Sequence, residues 1–106
     1  MNLDTQAQFE ELFFNIANPD AAFIVYFTAA WCGPCKRLAV PTIANAAAEK
    51  GIAFFRCDYA VNEYTPGYCG VTAFPTFILF KPKKVLAQAR TNNTDEVVAW
   101  INDLTF

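Results

Sequence analysis

The sequence predicts a single α/β domain over residues 1–106, a mixed sheet of four to five strands with helices on both faces. Three observations predict it. Elements follow in the order α-β-α-β-α-β-β-α, and the early strand–helix–strand run implies a right-handed parallel crossover. Ala22–Thr28 is a continuous apolar and aromatic run, which suits a strand covered on both faces, and Ile52–Asp58 reads as another apolar strand. The chain is 55% hydrophobic and 17% charged over 106 residues, enough for one core and too short for two.

Each element has a local cause. Asp4 or Thr5 can cap a first helix that carries Phe9, Leu12, Phe13 and Ile16 at helical spacing. Asn18-Pro19-Asp20 is a turn before the first strand. A second helix opens at Pro34 and runs to about Lys50, kinked by Pro41 and ended by Gly51. Asn62–Cys69 is a short helical or irregular segment interrupted by proline. Thr76–Phe80 and Val85–Arg90 flank Pro82-Lys83-Lys84 and form a hairpin, in which the lysines protect the edge. Asn93 or Thr94 caps a last helix with Val97, Val98, Ile101 and Leu104 on one face, and Asn93-x-x-Glu96 has the form of a capping box.

Composition excludes several functions. Net charge is −2 with no basic patch, so nucleic acid is not an expected partner. Met1–Glu11 is polar and acidic, unlike a signal peptide, and the apolar run Ala21–Ala30 is too short to span a bilayer. The expectation is a cytoplasmic monomer with no membrane contact. There is no histidine, which removes the usual general base and the commonest metal ligand.

The cysteines carry the chemistry. Cys32 and Cys35 form a C-x-x-C pair just before a helix. A thiol attacks a disulfide only as thiolate, and a helix start with Lys36 one turn on favours negative charge at Cys32. Cys35, three residues later, returns to the same face and can attack a mixed disulfide made by Cys32. Cys32 is thus the nucleophile and the more exposed sulfur; Cys35 is the resolving thiol and the more buried. Gly33 permits the tight entry and Pro34 stiffens it. A zinc site would need two more ligands, and Cys57 and Cys69, with eleven residues between them, lack the short spacing. No metal is expected. Cys57 is a small buried hydrophobe, whereas Cys69 is a candidate regulatory thiol.

Trp31-Cys32-Gly33-Pro34-Cys35-Lys36 resembles the thioredoxin active-site motif residue for residue, with a strand before it and a helix after. Phe74-Pro75-Thr76-Phe77 resembles the cis-proline loop of that family. The resemblance covers almost the whole chain, with the first strand reduced to a few residues before Asp4. Thioredoxins are the familiar case of a C-x-x-C thiol held below its ordinary pKa. The resemblance implies a protein-disulfide reductase with no bound cofactor, recharged from NADPH by a thioredoxin reductase. It implies that Trp31 covers the redox pair and contacts substrate, that Pro75 is cis, and that the backbone at Phe74 pairs with an extended substrate segment. Tyr59, Ala60 and Val71 complete the docking patch.

The chain departs from the family at Tyr26, six residues before Cys32, where thioredoxins carry a buried aspartate that relays protons to the resolving cysteine. A tyrosine is a poor base at neutral pH, so resolution is expected to slow or its pH dependence to move upward; the plainer reading of Tyr26 is a core aromatic. Phe54 or Phe55 stands where bacterial relatives place a lysine. Asp58 could serve as a base through water, though a turn role suits it better. Lys83 or Lys84, and Thr91 or Asn92, replace customary glycines. Two rivals keep the fold: an oxidase or isomerase with the opposite redox direction, and a binding module whose thiols are incidental.

Overall fold

The computed structural model describes all residues from Met1 to Phe106. The elements are α1 (Gln6–Phe13), β1 (Phe23–Thr28), a 3-10 turn (Pro34–Arg37), α2 (Val40–Glu49), β2 (Ala53–Asp58), α3 (Tyr64–Tyr68), β3 (Thr76–Lys81), β4 (Lys84–Ala89) and α4 (Thr94–Asn102). The sheet has four strands in the order β2-β1-β3-β4. β1 pairs parallel with β2 and antiparallel with β3, and β3–β4 is the antiparallel hairpin. The fifth strand is reduced to one parallel bridge between Asn2 and Arg56. No helix is long and apolar enough to cross a membrane.

The central strands divide their side chains between two cores. Ile24 and Tyr26 of β1 face α2 and α4, where Ile43, Ala47, Val97 and Ile101 meet Phe77 and Leu79 of β3. Phe23, Val25 and Phe27 face the other way, into a core with Phe9, Phe55, Cys57, Ile78 and Phe80. Every residue of β1 is buried, as its unbroken apolar run requires.

Caps fix the helix ends. Thr5, rather than Asp4, caps α1: its Oγ1 accepts from the Gln8 amide at 3.2 Å, while Gln8 Oε1 accepts from the Thr5 amide at 3.1 Å. The helix stops at Phe13, so Ile16 lies beyond it and is 86% exposed instead of in the core. Asn93 caps α4 through the Glu96 amide at 3.0 Å. The reciprocal half of that expected box is missing, because Glu96 Oε1 accepts from Thr91 Oγ1 instead.

The helix expected from Pro34 to Lys50 is broken rather than kinked. Proline at 41 has no N–H to donate, and within a continuous helix its ring would meet the carbonyl four residues back. Leu38 turns extended (φ −84°, ψ 133°), and α2 restarts with Pro41 in its first turn. The freed Ala39 amide donates to Thr94 Oγ1 at 2.9 Å, which ties the break to α4.

Of the positions lacking customary glycines, only Lys83 is left-handed, with φ of 64°. Its amide donates to the Phe13 carbonyl at 2.7 Å, so the hairpin turn is anchored on α1 and holds a conformation that a non-glycine residue seldom adopts.

Candidate active site

β1 ends at Thr28 and delivers the chain to the 3-10 turn at one end of the sheet. Cys32 and Cys35 are joined there in a disulfide, with their Cα atoms 5.3 Å apart. The Cys35 amide points back and donates to Cys32 Sγ at 3.1 Å. Such an N–H stabilises a thiolate more than a thiol. The expected helix start is a four-residue 3-10 turn, so this single amide replaces a long helix dipole as the local support for Cys32.

Exposure does not separate the two sulfurs as expected. Cys32 is 4% exposed and Cys35 6%, because both turn inward against Ala29, and Phe74 packs on them. Gly33 is also not required by its backbone. It has ordinary helical angles (φ −58°, ψ −49°), and an added Cβ would meet nothing within 4 Å.

The Phe74–Pro75 bond is cis, and Thr76 Oγ1 donates to the Ala73 carbonyl at 2.7 Å, bracing that loop. Trp31 is 67% exposed and stands edge-on to Phe74 (5.5 Å between ring centroids) and Tyr59 (6.2 Å); Tyr59 and Phe74 are 5.6 Å apart. The three rings form one apolar rim on the Phe74 side of the disulfide. Ala60 is exposed, and Val71 is half-buried against the same core that Phe74 packs on. Tyr59 continues into a shallow hollow of about 700 Å³ lined with Tyr64 and Tyr68 of α3. Sequence reasoning missed those two tyrosines, although their four-residue spacing signals a shared helix face.

A different cavity, about 290 Å³, also reaches the sulfurs. Tyr26, Thr28, Lys36 and Arg56 line it together with Cys32 and Cys35, whereas Trp31 and Phe74 do not. Tyr26 is a buried core residue stacked on Phe77 at 4.8 Å, as the plainer reading has it, and its hydroxyl donates to Thr28 Oγ1 at 3.2 Å. The position across from Tyr26 on the next strand is Arg56 and not Phe54 or Phe55, so the basic side chain that sequence reasoning found missing there is present, and both side chains leave the same face. Asp58 has a turn role: Oδ1 accepts from the Ala60 amide at 2.9 Å and Oδ2 pairs with Arg56 at 3.4 Å.

Cys57 and Cys69 lie away from this chemistry, in the core on the α1 side of the sheet. Burial, then Asp58 and Asp4, push the Cys57 thiol from 9.0 up to about 12. Burial and Cys57 push Cys69 likewise up to about 12. Burial therefore favours the protonated thiol at Cys69. The raised Cys57 value has a consequence for stability. The folded chain holds this proton more tightly than the unfolded chain, so the contribution is complete below pH 9.0 and is lost as pH rises through about 12. Cys57→Ala is expected to flatten the alkaline fall of urea-unfolding free energy; an unchanged slope would refute the burial argument.

A mixed sheet carrying a C-x-x-C disulfide at a 3-10 turn, with Phe74 of a cis Phe74–Pro75 bond packed against it, defines a thiol-disulfide oxidoreductase fold, and the pair is consistent with that activity. The thioredoxin family model matches residues 2–103, and the chain belongs to the thioredoxin family. It is 32% identical over 85 residues to a thioredoxin of Geodia cydonium, covering 80% of this chain and 78% of that one. It is 29% identical over 92 residues to "Thioredoxin-3, mitochondrial" of Saccharomyces cerevisiae, covering 87% and 72%. The X-ray structure of Fasciola hepatica thioredoxin superposes with a TM-score of 0.78 at 30% identity, covering 95% of each chain. A Schistosoma mansoni thioredoxin gives 0.82 at 25% identity, covering 99% and 94%.

Proposed function

We propose that the chain is a general cytoplasmic protein-disulfide reductase, working as a monomer, that also donates electrons to thiol-dependent enzymes. The observation that carries this reading is the Cys32–Cys35 disulfide set between the Cys35 amide and the aromatic rim.

In the reduced chain the Cys32 thiolate attacks a substrate disulfide, R–S–S–R′. One Cys32–sulfur bond forms, the substrate S–S bond breaks, and R′–S⁻ leaves and takes a proton from solvent. Trp31, Tyr59 and Phe74 provide the apolar surface that holds the substrate, while the backbone at Phe74 pairs with its extended segment. The Cys35 thiolate then attacks Cys32 Sγ, the Cys32–Cys35 bond forms, and R–S⁻ leaves. Two electrons have passed from the protein to the substrate. A thioredoxin reductase, drawing on NADPH, returns them to the disulfide.

The redox direction is tested by equilibrating the pair with glutathione. A reductase is expected to have a midpoint more negative than the glutathione couple, and a midpoint well above it would assign the chain to the oxidases.

A further inference from the structure

The hollow beside the aromatic rim holds side chains that the proposed cycle does not use. Tyr59, Glu63, Tyr64, Gly67 and Tyr68 line it. Positions 64, 67 and 68 share one face of α3, at spacings of three and four. The rings of Tyr64 and Tyr68 lie nearly parallel, at 22° with 6.5 Å between centroids. Gly67 beside them brings no side chain to fill the space. Tyr68 is braced from behind by Phe9 and Phe13. Tyr64 is 64% exposed and pairs with no ring but Tyr68, so it adds little burial to the fold.

The charge of the hollow selects its occupant. Glu63 is the only charged residue there, and no lysine or arginine lines it. Glu63 joins neither of the chain's two ion pairs, and although it stands at the N-cap of α3 its side chain caps nothing. A tyrosine ring presents a negative face. Three such rings and a free carboxylate have one sign, so the hollow attracts a cation and repels an acidic segment. A planar guanidinium stacks on an aromatic ring while its edge still donates to a carboxylate, which suits arginine better than lysine. The hollow is continuous with the substrate surface of the proposed cycle, because Tyr59 lines it and also meets Trp31 at 6.2 Å and Phe74 at 5.6 Å.

We propose that this hollow is a specificity site that takes an arginine side chain from the substrate segment flanking the disulfide held on the rim. The guanidinium lies against Tyr64 and Tyr68 and pairs with Glu63. Disulfides with an arginine nearby are therefore reduced in preference to those in neutral or acidic segments. This deepens the reductase reading and rests on it, and the hollow acts on binding rather than on the exchange chemistry.

The test uses short peptides with a central cysteine, carried as a mixed disulfide with 2-nitro-5-thiobenzoate. The Cys32 thiolate of the reduced chain attacks the peptide sulfur, and nitrothiobenzoate leaves as a coloured thiolate, so no reductase is needed. Arginine is placed in turn at each position on either side of the cysteine, with its neutral isostere citrulline and with phenylalanine as comparisons. At one position or more, the arginine peptide is expected to react about 5-fold faster than its citrulline twin, below saturation. That ratio is expected to fall close to unity in Tyr64→Leu, which keeps apolar bulk and loses the ring face. In Glu63→Gln it is expected to fall by about half and to depend less on salt. Each ratio is internal to one protein, so differences in folding or thiol reactivity cancel.

A ratio of unity at every position overturns the proposal, as does a ratio that survives in Glu63→Gln/Tyr64→Leu. A phenylalanine peptide that outruns the arginine peptide gives the hollow to an apolar segment, and a sedimenting dimer that Tyr64→Leu dissociates gives it to a second copy; either overturns the proposal. The reductase reading is judged separately, by whether the citrulline peptide is released as its thiol. If neither peptide is released, that reading falls. Titrating the oxidised chain with cysteine-free arginine and citrulline peptides then decides the hollow by the same ratio, now of affinities.

Discussion

Replacing Cys35 with serine is expected to cut disulfide-reduction turnover by more than about 1000-fold and to leave Cys32 covalently joined to its substrate. The reason is geometric. Cys35 is the thiol adjacent to Cys32, at 5.3 Å between Cα atoms. Cys57 and Cys69 belong to the core across the sheet and hold their protons up to about 12, so neither can substitute. Cys32→Ser is expected to be equally inactive but to accumulate no adduct, because the sulfur that the Cys35 amide supports is gone. Non-reducing mass spectrometry after exposure to an oxidised protein separates the two variants. Adducts that form on Cys35 in Cys32→Ser as fast as on Cys32 in Cys35→Ser would exchange the two roles.

The largest stability effect is expected at Phe9. Its ring is fully buried and meets Phe13, Phe23, Tyr68 and Phe80 at centroid distances of 5.4, 6.3, 5.9 and 5.3 Å. It is the only fully buried residue of α1, so it anchors that helix on the sheet. Phe9→Ala removes the ring and leaves a cavity among rings that cannot all close in. The expected cost is about 3–5 kcal/mol, a large part of the ~5–15 kcal/mol that a domain of this size has in total. Urea unfolding measures it as a lower midpoint. A loss below about 1 kcal/mol would mean that α1 is held mainly by its capping box and by the Phe13 carbonyl's bond to Lys83.

Much of this fold is legible because β1 is buried on both faces and spells a continuous apolar run, while Cys32-Gly33-Pro34-Cys35 and Phe74-Pro75 are local signals; β2, read as a second apolar strand, lies at the sheet edge with only Phe55 and Cys57 buried. The parts that escaped depend on contacts distant in sequence. Pro41 signals a disturbance, but whether a helix bends or restarts depends on partners such as Thr94, which receives the Ala39 amide from 55 residues away. Arg56 looks like one of two charges near the end of an apolar strand until the parallel register sets it opposite Tyr26. The burial of Cys32 depends on Phe74, brought in by a loop far along the chain. Ile16 fitted the helical period, yet the capped helix ends before reaching it.

The central claim is that Cys32 and Cys35 carry electrons from a reductase to protein disulfides. NADPH consumption during insulin reduction tests it most directly, with thioredoxin reductases of both bacterial and animal origin supplied in turn. Sustained turnover with at least one of them, lost in Cys32→Ser and in Cys35→Ser, is the predicted result. A folded, fully reduced chain that turns over with neither reductase, or whose Cys32→Ser/Cys35→Ser form keeps its biological activity, would contradict it and leave a binding module in its place.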